Sequence, residues 1–176
     1  HYLYPDEFTD ELIDTIAAED KVLPYLDIPI QHCNDKVLRA MNRRGDKAEL
    51  LALFRKLRAR IPGLVLRTSV ITGLPFEDEA AFEELCEFLR EVRIPEEGTP
   101  AARMLNRVDT AEAERRAELV VDVQSRIMDD FNDSRMGTVV EVLCDGFDQQ
   151  AMQFVGRSYA ESPDIDGRIY FTADHE

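Results

Sequence analysis

Two short stretches hold the residue types best suited to ligand chemistry: Gln31-His32 and Gly73-Leu74-Pro75-Phe76-Glu77. Each follows an apolar, strand-like run, and in parallel α/β proteins ligands gather where strands end and loops begin. A carboxamide at Gln31 suits a polar ligand group, or a hydrogen bond that steadies its own loop. His32 is the weaker candidate of the two and is not assigned as a base. Gly73 permits either a close backbone approach or a tight turn. Arg67 sits within an apolar run and needs a carboxylate partner, from a cofactor or from Asp27 or Glu77. Arg43 and Arg44, close behind Met41, could steer an acidic side chain or form a solvated patch at a helix end. Asp164 and Asp166 stand in Ser-Pro-Asp-Ile-Asp-Gly, a β-turn pattern with an acidic outer face.

Other chemistry is less well served. Cys33, Cys86 and Cys144 are far apart, with no CxxC or CxxxCxxC spacing among them. That pattern offers neither a zinc nor an iron–sulfur ligand set, so no metal ligand is assigned. An odd cysteine count also argues against a disulfide framework, and buried or partly buried thiols are expected for all three. The formal net charge is −15. Such a surface repels phosphate and attracts basic proteins, or simply keeps the chain soluble. No run approaches the ~20 apolar residues of a membrane span, and the start lacks a signal peptide's basic and apolar regions. A cytoplasmic protein is expected.

The elements that must position these residues alternate in the first half. Thr9 caps a helix through Leu12, Ile13, Ile16 and Ala17. A strand is expected at Tyr25–Ile30, and a short helix from Asn34 carries Val37, Leu38 and Met41. Asp46 and Glu49 form a capping-box pattern ahead of Leu50, Leu53, Phe54 and Leu57, and Pro62-Gly63 ends that helix. Leu64–Ile71 reads as a second strand. A helix with Phe82, Leu85, Cys86, Leu89 and Val92 follows, then a loop at Pro95–Pro100. Asp109 or Thr110 opens a long helix whose apolar side holds Ala117, Val120, Val121, Ile127, Met128 and Phe131, the Glu/Arg-rich remainder being a solvated face. Strands separated by amphipathic helices mark parallel α/β architecture. Beyond Gly137 the character changes to strands at Thr138–Leu143, Gln153–Ser158 and Ile169–Phe171, with a turn at Asp145-Gly146, as in a small β-barrel. The chain is therefore divided into residues 1–136 and 137–176.

Four stretches, taken in order, resemble the methylthiotransferases of the radical-SAM superfamily: YLDIPIQHCNDKVLRAMNRRG (Tyr25–Gly45), LRTSVITGLPFEDEAAFEEL (Leu66–Leu85), EEGTPAA (Glu96–Ala102) and VGRSYAESPDIDG (Val155–Gly167). The last is similar to the terminal TRAM domain of the RimO-type branch. The resemblance implies the C-terminal part of a radical-SAM (β/α) partial barrel followed by a small all-β, OB-like TRAM domain, expected to be incomplete. It implies S-adenosylmethionine and two 4Fe–4S clusters as cofactors of the parent enzyme. It also implies methylthiolation of the β-carbon of an aspartate in the twelfth small-subunit ribosomal protein. An unactivated C–H bond has no useful pKa, so acid–base residues cannot open it and radical chemistry is needed.

Carried onto this chain, the resemblance makes Gln31, Arg67, Gly73, Pro75 and Glu77 cofactor-binding candidates, and Arg44, Asp164 and Asp166 substrate-binding ones. No catalytic residue is assigned. The family's cluster cysteines are N-terminal and not among these residues, so this chain by itself is expected to be inactive. Phe76 stands where relatives usually have Gly. Glu91–Pro95 runs almost directly into EEGTPAA, where relatives carry another barrel strand. In the terminal segment Glu141, Asp145, Asp148, Glu161, Asp164, Asp166, Asp174 and Glu176 face only Arg157 and Arg168, which suits a basic ribosomal protein better than tRNA. The alternatives are a non-catalytic acidic module that binds a basic ribosomal protein, and a tRNA methylthiotransferase relative.

Overall fold

The computed structural model describes residues 3–93, 109–163 and 166–173. The Pro95–Pro100 loop, the Glu96–Ala102 segment and Asp164 lie outside them, as do Asp174 and Glu176. The chain divides into two compact units, His1–Ser134 and Arg135–Glu176, slightly before the division read from the sequence. Arg135 belongs with the second unit because its guanidinium bonds Glu161 and the Ser158 hydroxyl.

In the first unit a 3-10 turn (Pro5–Glu7) precedes α1 (Asp10–Ala18), β1 (Tyr25–Asp27), α2 (Asp35–Ala40), α3 (Lys47–Arg60), β2 (Val65–Arg67), α4 (Glu79–Val92) and α5 (Thr110–Ser134). Short polar side chains start the helices, each accepting an otherwise orphaned backbone N–H. Thr9 takes that of Leu12, Asn34 those of Lys36 and Val37, Asp46 that of Glu49, and Asp78 that of Ala81. β1 and β2 pair in parallel, Tyr25 opposite Val65, Leu26 opposite Leu66 and Asp27 opposite Arg67.

Both strands are shorter than the apolar runs suggest. Pro29 has no N–H to donate, so the ladder cannot continue through it. Thr68 fills the gap: its hydroxyl donates to Ile28 O at 2.7 Å and accepts from Ile30 N at 3.2 Å. Pairing resumes as a single parallel bridge between Gln31 and Val70. One apolar core holds the unit together, with Ile13 from α1, Leu26 from β1, Phe54 and Leu57 from α3, Leu66 from β2, and Phe82, Leu85 and Phe88 from α4. Val120 and Val123 of α5 join it, whereas Val121, expected on the apolar side, is 42% exposed.

The second unit is an antiparallel sheet in the order β3 (Leu143–Asp148), β4 (Gln153–Arg157), β5 (Ile169–Phe171). The strand expected at Thr138–Leu143 begins only at Leu143, because Leu143 already pairs with Arg157, the last residue of β4. Asp145-Gly146 is not a turn but part of β3, where the register slips between Cys144 and Gly146. The turn lies after Asp148, whose Oδ1 accepts from the N–H groups of Gln150 and Ala151. Gly156 is required where it stands: a Cβ there would come within 2.3 Å of Leu143 O. Phe147, Phe154 and Phe171 face one another across the three strands, with ring centroids 5.2 and 5.8 Å apart. Cys33 and Cys86 are buried as expected, but Cys144 is exposed on β3. Among the described residues no helix is long and apolar enough to cross a membrane.

The Thr68 patch gives a direct expectation. Thr68→Val keeps the shape but strands the Ile30 N–H and Ile28 C=O, and should cost about 1–3 kcal/mol in a urea unfolding titration. An unchanged midpoint would mean that the hydroxyl does not bridge the two strands.

Candidate functional site

Beyond β2 the chain shows its two sides in strict alternation. Leu66, Thr68, Val70, Thr72 and Leu74 are buried, while Arg67, Ser69, Ile71, Gly73 and Pro75 are half-exposed. Through Thr72 a period of two marks an extended chain with one face in the core; Gly73, at φ 79°, begins the turn that follows. Arg67, Ser69 and Ile71 therefore share one accessible side, and the half-exposed Gly73 and Pro75 follow in the turn at its end. Gln31 joins them from the neighbouring segment: its N–H donates to Ser69 O at 2.9 Å, and its carbonyl accepts from Ile71 N at 2.7 Å.

Those two bonds hold Gln31 at φ 67°, a left-handed conformation that costs a residue bearing Cβ about 1 kcal/mol or more. The half-buried Gln31 carboxamide makes no hydrogen bond to the described residues. Strain at a strand end, with an uncommitted polar side chain, fits a residue that meets a ligand rather than one that steadies its loop.

Of the partners left open for Arg67, the structure supplies Asp27, its cross-strand neighbour, at 2.6 Å. The pair is mostly shielded, with side chains 19% and 13% exposed. Asp27 uses Oδ2 for the arginine, while its Oδ1 is buried without a hydrogen-bond partner among the described residues. A buried carboxylate oxygen left in this way is costly, and a ligand cation or N–H would satisfy it.

Glu77 occupies a different setting. Its side chain is fully buried. It accepts from Gly73 N at 3.1 Å and Leu74 N at 3.4 Å, closing the turn, and from Arg116 Nη1 of α5 at 2.8 Å. The His32 Nε2 atom lies 3.5 Å from its Oε2, an electrostatic contact rather than a hydrogen bond. Because Nδ1 of His32 accepts from Asn34 N at 2.9 Å, the ring carries its proton on Nε2, toward Glu77. Burial pushes the Glu77 carboxyl up, but His32, Arg116 and the Gly73 amide outweigh it and hold the group below its ordinary range. Every direction around this carboxylate is thus taken by the protein, and its place is beneath the face. Phe76 has φ 69° and is 61% exposed. Its left-handed backbone is the conformation that favours glycine, which accounts for the glycine usual in the resembling family.

The remaining candidates lie apart. Arg44 is exposed, 3.9 Å from Asp6. Arg43 turns inward, its Nη1 donating to Pro29 O at 3.2 Å and its guanidinium stacking on Tyr4. In the second unit Asp166 accepts from Ser162 N at 2.7 Å, at the edge of a hollow of about 350 Å³ that Arg157 and Arg168 also line. Among the described residues no cluster of His, Cys, Asp and Glu could hold a metal ion. Sequence reasoning missed Arg116, placing it on a solvated helix face. The signal was its spacing: residues 116, 120, 123 and 127 form one helical stripe, and the rest of that stripe is apolar.

The buried carboxylate sets a pH limit. A group held below its ordinary range stabilises the fold fully at neutral pH, and that contribution is lost as pH falls through the range. Glu77→Gln should therefore lower the melting temperature at pH 7, and the deficit should shrink as the pH falls below the ordinary carboxylate range. A deficit that stays constant across the titration would show that the charge of Glu77 contributes nothing.

Residues 2–89 match the Radical SAM superfamily, and residues 136–176 match the TRAM domain. The chain is 40% identical over 181 residues to ribosomal protein uS12 methylthiotransferase RimO of Acetivibrio thermocellus, covering 98% of this chain. It is 41% identical over 182 residues to the protein of the same name from Geotalea uraniireducens. The chain spans about 40% of the length of the curated relatives it matches. Among solved structures, coproporphyrinogen III oxidase (HemN) from Escherichia coli, a radical SAM enzyme, superposes on 72% of this chain with a TM-score of 0.61. That match covers 31% of the oxidase at 16% identity, and it speaks for the fold alone. The parallel β1–β2 frame, the face at its end and these matches agree: the chain belongs to the radical SAM superfamily, carries a TRAM domain, and resembles RimO-type methylthiotransferases along nearly its whole length.

Proposed function

We propose that this chain forms the cofactor-facing C-terminal part of an S-adenosylmethionine-dependent methylthiotransferase that modifies the β-carbon of an aspartate in ribosomal protein uS12. The observation that carries the reading is the half-exposed face of Gln31, Arg67, Ser69, Ile71, Gly73 and Pro75, bounded by Asp27 with its unsatisfied Oδ1. The amino-acid end of S-adenosylmethionine bears an ammonium and a carboxylate, and Asp27 and Arg67 offer the complementary pair side by side. Gln31 would serve a further polar edge of the cofactor, and Gly73 and Pro75 would leave room for its flat portion. When bound with iron–sulfur clusters, two in this reading, the cofactor supplies one-electron chemistry that opens an unactivated C–H bond. Arg44, Asp164 and Asp166 are proposed to meet the protein substrate.

The charge of the second unit favours a basic protein over tRNA as partner. Of its three described arginines, Arg135 is paired with Glu161 and Arg157 with Asp145. Few cations are left to displace counterions from a phosphate backbone, and acidic side chains predominate. A non-catalytic binding role would leave the strained Gln31 and the unsatisfied Asp27 without a purpose.

The decisive experiment is reconstitution of the full-length protein with iron and sulfide, followed by incubation with S-adenosylmethionine and uS12. Transfer should add one methylthio group to an aspartate-containing peptide in the mass spectrum. Cofactor cleavage without modified peptide would reject the substrate. Within the same protein, Gln31→Ala should weaken cofactor binding about five- to tenfold by equilibrium dialysis, the value of one hydrogen bond. It should leave unfolding nearly unchanged, since alanine bears the same left-handed strain and no internal bond is lost. Binding of uS12 should weaken as salt is raised, exposed charges being screened within about 8 Å at physiological ionic strength. Tight, salt-resistant uptake of tRNA instead would reverse the choice of partner.

A further inference from the structure

We infer that Arg116, on α5, is a positioning residue for the cofactor face, acting through the buried Glu77 carboxylate on the turn at Gly73-Leu74-Pro75. The inference rests on the reading of that face given above, and deepens it by naming a residue outside the face that sets its geometry.

Arg116 is 5% exposed, yet each of its guanidinium nitrogens is committed. Nη1 donates to Glu77 Oε1 at 2.8 Å and to the Glu77 carbonyl at 3.2 Å, Nη2 to Glu79 at 3.1 Å, and Nε to Glu112 at 2.7 Å. The guanidinium also lies over the Phe82 ring, 5.2 Å from its centroid. A leucine in the same stripe would pack against Phe82 and Val120 but would leave the buried Glu77 carboxylate without its cation, and breaking one side of a buried ion pair is strongly destabilising. Replacing Arg116 and Glu77 together by apolar residues is the change that is often neutral or stabilising, so cohesion of the core alone does not call for the pair. What the arginine adds is a fixed orientation for Glu77.

That orientation matters because one carboxylate serves both loops of the face. Its Oε1 and Oε2 hold the amides of Gly73 and Leu74, and Oε2 also faces His32, the residue after Gln31. The charged or titratable groups around it are His32 from the loop after β1, Arg116 from α5, and Glu79 and Cys86 from α4. Arg116 is the cation among them that bonds it directly. Without that cation, a fully buried carboxylate would take up a proton. A neutral carboxyl has one oxygen turned donor and accepts more weakly, so it no longer holds both amides as the carboxylate does. The turn would loosen, and Gly73 and Pro75 would move relative to Gln31.

The test is hydrogen–deuterium exchange by mass spectrometry on the full-length, cluster-loaded protein, with S-adenosylhomocysteine as the binding probe. Arg116→Gln should raise exchange at the Gly73 and Leu74 amides about tenfold or more, the worth of a charge-assisted bond. Protection around Val120 should persist. Binding of the probe should fall in parallel and become pH-dependent, weakening as the pH falls over a range where the parent is flat. Glu112→Gln is the control, because it removes an Arg116 partner within α5 and leaves Glu77 untouched, so the turn should stay protected. If Arg116→Gln fails to fold, Arg116→Lys decides. Its single ammonium keeps the charge but cannot span Glu77, Glu79 and Glu112, and partial loosening of the turn with α5 intact is expected. A turn equally protected in the arginine variants, or equally loosened by Glu112→Gln, overturns the inference. If the turn responds as expected but the parent protein does not bind S-adenosylhomocysteine, the coupling stands and the reading of the face as a cofactor site fails.

Discussion

A carboxylate with no access to water must be satisfied from every side, and Glu77 is satisfied by three separate parts of the first unit. The Gly73 and Leu74 amides come from the turn after β2, the imidazole of His32, 3.5 Å away, from the loop after β1, and the guanidinium from α5. Their demands meet at one pair of oxygen atoms. Moving any one part would leave a charge or an N–H unpaired in the core, and this makes the ends of the two parallel strands rigid relative to each other. The core around Phe54, Leu66 and Phe82 supplies cohesion without direction. The buried polar cluster supplies the direction.

Above that cluster, the accessible face is built from an interrupted ladder. Pro29 cannot donate, Thr68 substitutes its hydroxyl for the missing pairing, and the chain re-engages at Gln31 and Val70. The interruption leaves Gln31 in a left-handed conformation at φ 67°, and the turn after β2 holds Phe76 at φ 69°. Strain of this kind persists only where surrounding bonds over-determine the backbone. For Gln31 those bonds are the two to Ser69 and Ile71. The Asp27–Arg67 pair lies one step back along the strands, mostly shielded from solvent and, among the described residues, short of a partner at Asp27 Oδ1. A polar, strained and incompletely satisfied face over a rigid apolar base is the arrangement expected of a ligand site.

The second unit keeps its order by other means. Its three strands are short, so side-chain contacts across them carry much of the load. The Phe147–Phe154–Phe171 ladder fixes the register on one face, and Gly156 lets β3 approach closely on the line of Leu143. Arg135, Ser158 and Glu161 form a polar clasp at its start. This clasp, rather than the glycine at position 137, marks where the second unit begins.

Helix starts and the parallel α/β class were legible in the sequence, because caps and apolar periodicity are local properties: Thr9, Asn34 and Asp46 cap where their spacing says they should. The ordered motifs also pointed to the superfamily that the comparisons show. Strand limits were not legible, since pairing depends on a partner distant in sequence. Leu143 starts β3 because Arg157 ends β4, and Thr68 ends a ladder by bonding across it. The residues of the candidate face were readable one by one, as strand-end Gln31, intruding Arg67 and turn-forming Gly73. Their division of labour was not. The sequence could not say that Asp27, and not Glu77, would take Arg67, or that Arg116 would cross from α5 to reach Glu77. A charged residue's partner is settled by which desolvated groups the fold brings within a few ångströms, and only the tertiary structure decides that.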